Sequence, residues 1–415
     1  MAEPGNSSRA GRVAYTYPDF ALYQISRFFI VAALEMQSVA VGWQVYEITK
    51  RPMDLGFVGL AQFLPGIILF LAAGHAADRF DRRNLLIACY GGFALCSGLL
   101  LFTALRGTGR VYPIYSVLVL LGVVRSFNGP AARALLPQII PQEHFQNAVA
   151  WNSSVFQGAN ILGPSIGGFV YALTKGPAAV FGISFLIAIG SIFCTFRIKS
   201  QTKARPPEVL SMKTVLAGFH YIRQKKIVLG SISLDLFAVL LGGAVALLPV
   251  YARVILRTGP WGLGLLRSAP AIGAGSMALL LAHKPLRNRV GPTMLWCVAG
   301  FGAATVLFGI SRSLPLSMLA LLFVGATDMV SVVIRGTLVQ LATPDEMRGR
   351  VNAVDIIFIG ASNEFGQFES GLTAQWFGTV PAVVMGGIGT LIVTALWAWS
   401  FPELRRVDEL SSIEI

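Results

Sequence analysis

The stretch GHAADRFDRR, Gly74 to Arg83, sets two acids and three arginines between two runs that are almost wholly apolar. Charge confined to ten residues between such runs reads as a turn at a membrane surface, because each flanking run has about the 20 residues that cross roughly 30 Å of hydrocarbon. The rest of the chain agrees. Of its 415 residues 54% are hydrophobic and only 13% are charged, which is more apolar surface than a soluble core can bury.

Hydropathy, Gly and Pro breaks and charged turns divide the chain into about twelve spans. The first six are expected at residues 20–45, 54–77, 84–105, 113–132, 144–174 and 177–196, and the second six at 227–254, 261–283, 292–310, 314–341, 351–375 and 380–400. The expected organisation is a cytoplasmic N-terminal tail (1–18), a six-helix bundle (19–196), a cytoplasmic linker (197–226), a second six-helix bundle (227–400) and a cytoplasmic C-terminal tail (401–415). The cations orient it. Arg9, Arg12, Arg79, Arg82, Arg83, the cluster from Arg197 through Lys226, Lys284, Arg287, Arg289, Arg348, Arg350, Arg405 and Arg406 share one side. Lys50, Arg51, Arg106, Arg110, Lys175, Arg253, Arg257 and Arg312 share the other. Cytoplasmic loops collect the larger share of positive charge, so both termini are expected in the cytoplasm.

This asymmetry accounts for the formal net charge of +13, and no nucleic-acid partner is expected. The first seventeen residues are polar and the first apolar run is long enough to stay as a span, so no cleavable leader is expected. Cys89, Cys96, Cys194 and Cys297 lack metal-like spacing, and His75, His144, His220 and His283 are scattered; no metal and no cofactor are expected. In the linker, Val209, Met212, Leu216, Phe219 and Ile222 recur at three- and four-residue steps, with Lys213, Arg223 and Lys225 elsewhere. That pattern suits a helix lying on an anionic leaflet, and a solvated connector is the alternative.

The two sets of six spans echo one another. Leu60 and Pro65 return as Leu265 and Pro270, Arg133 and Gln138 as Arg335 and Gln340, and Asn147-Ala148-Val149 as Asn352-Ala353-Val354, at offsets of 202 to 205 residues. A near-constant offset across several spans points to a duplicated six-helix unit, an architecture in which two bundles rock about a site near the midplane.

Three motifs carry a resemblance to the major facilitator superfamily over essentially the whole chain. The opening stretch resembles the superfamily's loop between spans two and three, with Gly74, Asp78, Arg79, Arg82 and Arg83 in the pattern's positions and Asp81 where a glycine is usual. Span four carries Arg125-Ser126-Phe127-Asn128-Gly129, similar to an arginine-to-glycine motif associated with proton transfer. Span five carries Gly163-Pro164-Ser165-Ile166-Gly167-Gly168, similar to the motif of exporters that exchange drug for proton. The stretches MQSVAVGWQVYEIT, DMVSVVIRGTLVQLATPDEMRGRVNAV and ASNEFGQFESG resemble the branch that includes the bacterial enterobactin exporter and macrolide efflux proteins.

The resemblance implies an all-α fold of twelve transmembrane helices in two pseudo-symmetric bundles, in the cytoplasmic membrane of a bacterium. It implies export of a siderophore, a macrolide or another small amphipathic molecule by proton antiport and alternating access. It also implies a cytoplasmic latch, in which Asp78 faces the start of span eleven near Val351 and the arginines pair with acids such as Asp345 or Glu346. The rival reading of those arginines is that they only fix topology.

Ionisable groups within the hydrocarbon are costly without a partner or a wet cavity. Glu35, Arg125, Asp235, Arg267, Asp328, Asp355, Glu364 and Glu369 stand there, while Arg27, Arg133 and Arg335 lie nearer span ends, where they can snorkel. The architecture implied by the resemblance lines its cavity with spans one, four, seven and ten. Glu35 with Arg125 is then the first choice for proton coupling, and Asp235 or Asp328 the second, with a fixed ion pair as the alternative for Glu35. On span eleven, Asp355 and Glu369 lie on one face and Glu364 on the opposite one, so some of these acids are expected to pair with neighbouring helices. Gln37, Trp43, Phe127, Asn128 and Phe237 suit a bulky amphipathic substrate, and can equally be packing residues. A lysophospholipid carrier and, more remotely, a non-transporting sensor or nutrient importer are the rivals. No nucleotide loop or nucleophile elbow marks an enzyme. The expected partners are a small-molecule substrate, protons and the bilayer, and the expected state is a monomer.

Overall fold

A computed structural model describes residues 13–107, 109–199, 212–284, 286 and 288–408, without the side chains of 212–215. Arg9, Arg12, Val209 and Arg287, and the side chains of Met212 and Lys213, lie outside the described residues. Within them the protein is helical throughout. Helices are what apolar sequence of this kind must form in hydrocarbon, since only intrahelical bonds satisfy every backbone N–H and C=O.

The first long helices are α1 (Pro18–Thr49), α2 (Pro52–Arg79), α3 (Arg82–Leu105), α4 (Tyr112–Ile139), α5 (Phe145–Thr174) and α6 (Ala178–Phe196). A shorter α7 (Met212–Gln224) follows, then α8 (Lys226–Gly242), α9 (Gly259–His283), α10 (Val290–Ile310), α11 (Leu314–Leu341), α12 (Asp345–Phe377) and α13 (Thr379–Ser400). Among the described residues ten stretches are long and apolar enough to cross a membrane by length and composition. The helices α5 and α12 occupy the places of the fifth and eleventh expected spans and are 30 and 33 residues long, but their polar content keeps them out of that set.

One expected span differs in shape. The sequence reads as a continuous helix over 227–254, whereas α8 ends at Gly242 and Gly243 leaves helical geometry at φ −70°, ψ 58°. The chain then continues through a 3₁₀ turn (Ala244–Leu247), a helical turn (Leu248–Val250) and a π-helical turn (Tyr251–Ile255). Two adjacent glycines and Pro249 supply the physical reason: glycine lowers the cost of leaving the helix, and proline cannot donate to the preceding turn.

The chain forms two compact units, one of Met1–Val41 with Leu64–Leu210 and the other of Gly42–Phe63 with Ser211–Ile415. In the first, α3 packs on α4 and α6, and α5 lies against α1 at glycines. A Cβ at Gly163 would stand 2.8 Å from the Ala32 carbonyl oxygen and from Glu35 Cβ, and one at Gly167 2.6 Å from Met36 Cα. The backbones therefore meet where only hydrogen fits. Buried hydroxyls stitch the same unit: Tyr23 Oη donates to the Ala132 carbonyl (3.1 Å) and Ser184 Oγ to that of Ala33 (3.2 Å).

In the second unit, α9 and α11 approach in the same way, with Gly273 against the Leu322 carbonyl and Gly325 against that of Pro270. Leu234, Met294, Val298, Ile334 and Leu338 fill the core among α8, α10 and α11. The α7 helix docks through Gly218, Ile222 and Tyr221, whose hydroxyl donates to the Ala342 carbonyl at 2.7 Å, and Leu216 and Phe219 remain exposed. Burial pushes the Tyr221 hydroxyl pKa up. Residues 42–63 belong to this unit. Gly56 abuts the Phe368 backbone at 3.0 Å, Phe57 and Phe63 meet Phe368 and Phe365 ring to ring, and Glu47 pairs with Arg253 at 3.1 Å.

Candidate functional site

The core of the second unit holds a cluster of charge drawn from three helices. Arg335 on α11 is 3% exposed, and its Nη1 lies 2.8 Å from Asp355 Oδ1 on α12 and 3.4 Å from Asp235 Oδ2 on α8. One guanidinium nitrogen thus bridges a buried and a half-buried carboxylate, each a charge-assisted contact. A void of about 10 Å³ adjoins Asp235 and is lined also by Asp328, Ser331 and Thr327. Such a void is about the size that holds one water. Ser331 Oγ, buried on this void, has no hydrogen-bond partner among the described residues.

Beyond Asp328 the space opens. A cavity of about 150 Å³ is lined by Asp328, Asn363, Phe301, Phe308, Val239 and Leu321, and by Gly242 to Val245 at the break after α8. Asn363 Nδ2 donates to the Ile359 carbonyl at 2.8 Å, so its amide is anchored by one end. Asp328 therefore stands between the ion-pair cluster and the cavity.

Glu364 Oε2 accepts from Gln367 Nε2 at 3.1 Å and borders Gly59. Glu369 is half-buried one turn above Thr373. Trp43 is buried, with the Arg253 guanidinium 5.3 Å from its ring centre, while Phe237 is 39% exposed and rests against Trp397 at 5.3 Å. The structure does not bring Trp43 or Phe237 to the wall of the 150 Å³ cavity.

In the first unit, Glu35 is half-buried on α1 beside Gly163 of α5, where Pro164, Gly167 and Gly168 are buried too, and Arg125 is exposed on α4. Gln37 Oε1 accepts from Ser97 Oγ at 2.7 Å, Phe127 is half-buried, and Asn128 Oδ1 is buried without a hydrogen-bond partner among the described residues. The loop motif is held by its own half. Gly74 and Asp78 lie half-buried near the end of α2, and Arg79 is exposed. Asp81 caps α3, accepting from the Asn84 backbone N–H at 2.8 Å, which explains an acid where glycine is usual. Arg82 is buried with Nε 3.4 Å from the Ala77 carbonyl, and Arg83 Nη2 donates to the Phe196 carbonyl with its guanidinium over that ring. Asp345 pairs with Arg348.

Arg335, which its place near a span end marks in the sequence as able to snorkel, is instead buried, with acids of two other helices against it. Asp235, an acid within an apolar span, is the signal in the sequence that another span must supply a cation.

The model of the family described as transmembrane secretion effector matches residues 20–414. The chain belongs to this family. Like other transmembrane secretion effectors it has the major facilitator fold, and it is a multi-pass membrane transporter. Enterobactin exporters EntS of Shigella boydii serotype 18 and Escherichia coli O81 are 26% identical to it over 397 residues, covering 94% of each chain. Among solved structures, a POT family transporter in complex with 5-aminolevulinic acid superposes with TM-score 0.75 at 9% identity, covering 93% of this chain and 96% of that one. A bacterial homologue of the human lysosomal transporter Spinster gives 0.69 at 13%, covering 94% and 98%. At such identities these two structures bear on the fold of the transmembrane secretion effector alone.

Proposed function

We propose that this transporter exports a small amphipathic molecule across the cytoplasmic membrane of a bacterium, by proton antiport and alternating access, with both termini in the cytoplasm. The names of its relatives, enterobactin exporters, support the direction of transport and a siderophore as cargo, and a macrolide or similar molecule falls in the same amphipathic class. The two six-helix bundles at 19–196 and 227–400, joined by the 197–226 linker, are the rocking bodies of this proposal, and Asp78 with its arginines is its cytoplasmic latch.

The observation that carries the coupling is the single guanidinium of Arg335 between Asp235 and Asp355. A carboxylate beside a guanidinium favours its charged form, and one that loses that neighbour in a buried setting favours the proton. A helix movement that shifts Arg335 from one aspartate toward the other therefore changes which acid can be protonated. Asp328, across a void with room for one water, connects this exchange to the cavity. Glu35 with Arg125 remains the competing seat in the first unit.

Everted vesicles separate the two. Asp235→Asn is expected to abolish uphill, proton-driven transport while leaving downhill exchange, because the shape is kept and the titrating group removed. Glu35→Gln is expected to retain uphill transport. The opposite pattern would move coupling to Glu35, and full uphill transport in both variants would overturn both seats and leave Asp328 or Asp355 to carry the proton.

A further inference from the structure

The cavity of about 150 Å³ beside Asp328 has features that select a ligand. Most of its wall is apolar, from Val239, Leu321 and their neighbours, and Phe301 and Phe308 present aromatic surface. Its polar side chains are few, and Thr305 among them donates its hydroxyl proton to the Phe301 carbonyl at 2.9 Å. Asp328 contributes a carboxyl, and Asn363 an amide that places one of its two N–H groups on the Ile359 carbonyl and has Oδ1 as an acceptor. The break after α8 adds a third contribution: Gly242 to Val245 line the cavity, so the C-terminal, negative end of a seventeen-residue helix abuts it.

Asp328 competes with two other acids for the nearby cation. Arg335 Nη1 is engaged by Asp235 and Asp355, so three carboxylates stand around one guanidinium in this core. Buried charge needs a counter-charge. A carboxylate, a helix C-terminus and aromatic faces in an apolar chamber are the elements that bind an organic cation.

We propose that this cavity binds the ammonium group of an amphipathic organic cation, with Asp328 as its counter-ion and Phe301 and Phe308 as its aromatic walls. This assignment rests on the export reading and narrows its substrate class to amine-bearing molecules. The chamber is about the size of cavities that hold one benzene ring, so it takes the cationic head and an adjoining ring and leaves the remainder of a larger substrate outside. An anionic or uncharged substrate would leave Asp328 with only its share of Arg335.

The test uses the purified full-length chain and benzyltrimethylammonium, whose charge is independent of pH, against its uncharged isostere 2,2-dimethylpropylbenzene. Calorimetric titration is expected to give binding of the cation at least about tenfold tighter than that of the isostere, the difference a desolvated cation–aromatic and carboxylate contact supplies. Asp328→Asn should erase that difference, Asp328→Glu should keep it, and Phe301→Leu should reduce it while leaving isostere binding nearly unchanged. Equal binding of cation and isostere by the wild-type chain, or undiminished cation binding by Asp328→Asn, overturns the assignment. Should Asp328→Asn not fold, the Phe301→Leu and wild-type comparisons still decide it. Failure of the export reading has a different signature: the wild-type chain would bind the cation, yet drive uphill movement of no compound in everted vesicles. An Asp328→Asn chain that exports an uncharged siderophore at the wild-type rate would instead sink the ammonium site and keep export.

Discussion

At the scale of single residues, Arg335 governs the second unit. Truncating it leaves the buried Asp235 and the half-buried Asp355 near one another without this cation. Arg335→Ala is therefore expected to cost about 3–5 kcal/mol of stability, the magnitude for breaking a buried pair by removing one partner. Arg335→Lys should cost less, because the charge survives while the forked geometry is lost. Thermal unfolding in detergent measures both, and an unchanged midpoint for Arg335→Ala would mean the bridge does not hold α8, α11 and α12 together. The acids of this cluster were legible in the sequence, since a carboxylate in an apolar span announces itself. Their cation was not. Asp235 lies 100 positions from Arg335 and Asp355 lies 20 away, and hydropathy orders spans along the chain without saying which of their faces meet.

At the scale of helices, glycine spacing decides how closely neighbours approach. A Cβ at Gly167 would stand 2.6 Å from Met36 Cα and 2.8 Å from its carbonyl oxygen, both backbone atoms that cannot rotate away. Gly167→Ala is expected to force α5 from α1 at about 1–3 kcal/mol, as overpacking does. The contrast is Gly91 on α3, where a Cβ would meet nothing within 4 Å. There alanine is expected to be neutral or to stabilise by about 0.4–1 kcal/mol, since it restricts the unfolded chain without a clash. Unfolding midpoints of the two variants should move in different directions; equal shifts would show that the close approach does not matter. The span-five motif Gly163-Pro164-Ser165-Ile166-Gly167-Gly168 was visible in sequence, but its contact was not, because a glycine run does not name the helix that it meets. The break in span seven was visible in part. Gly242, Gly243 and Pro249 stand in plain view, yet an apolar run of that length reads as one helix until the carbonyls that it frees have somewhere to face.

At the scale of the molecule, the bilayer fixes what can be tested most directly. Single cysteines replacing Arg110 and Lys175 are expected to react with an impermeant thiol reagent added to intact cells, and one replacing Lys203 is expected to react only after lysis. Lys203 lies outside the described residues, whereas Lys175 sits in a left-handed turn closing α5 at φ 55°. Reversed labelling would invert the membrane orientation and carry the Gly74–Arg83 loop to the opposite face. Fold class and the order of the helices were readable because hydrocarbon thickness is a one-dimensional signal. The distribution of residues between the two compact units was not, since residues 42–63 join the second unit through contacts that sequence distance conceals.

The interruption after Gly242 has a mechanical consequence. A continuous helix behaves as a rod, and a displacement at one end arrives at the other undiminished. The seventh span is instead two levers joined at a swivel: α8 bears Asp235, and the segment beyond Gly243 bears Arg253, which is tied to Glu47. Torque applied at Arg253 is absorbed at the joint by a few backbone dihedrals. Force therefore reaches Asp235 through the walls of the 150 Å³ cavity rather than along the helix axis, so whatever fills that cavity sets how stiffly the two levers are coupled.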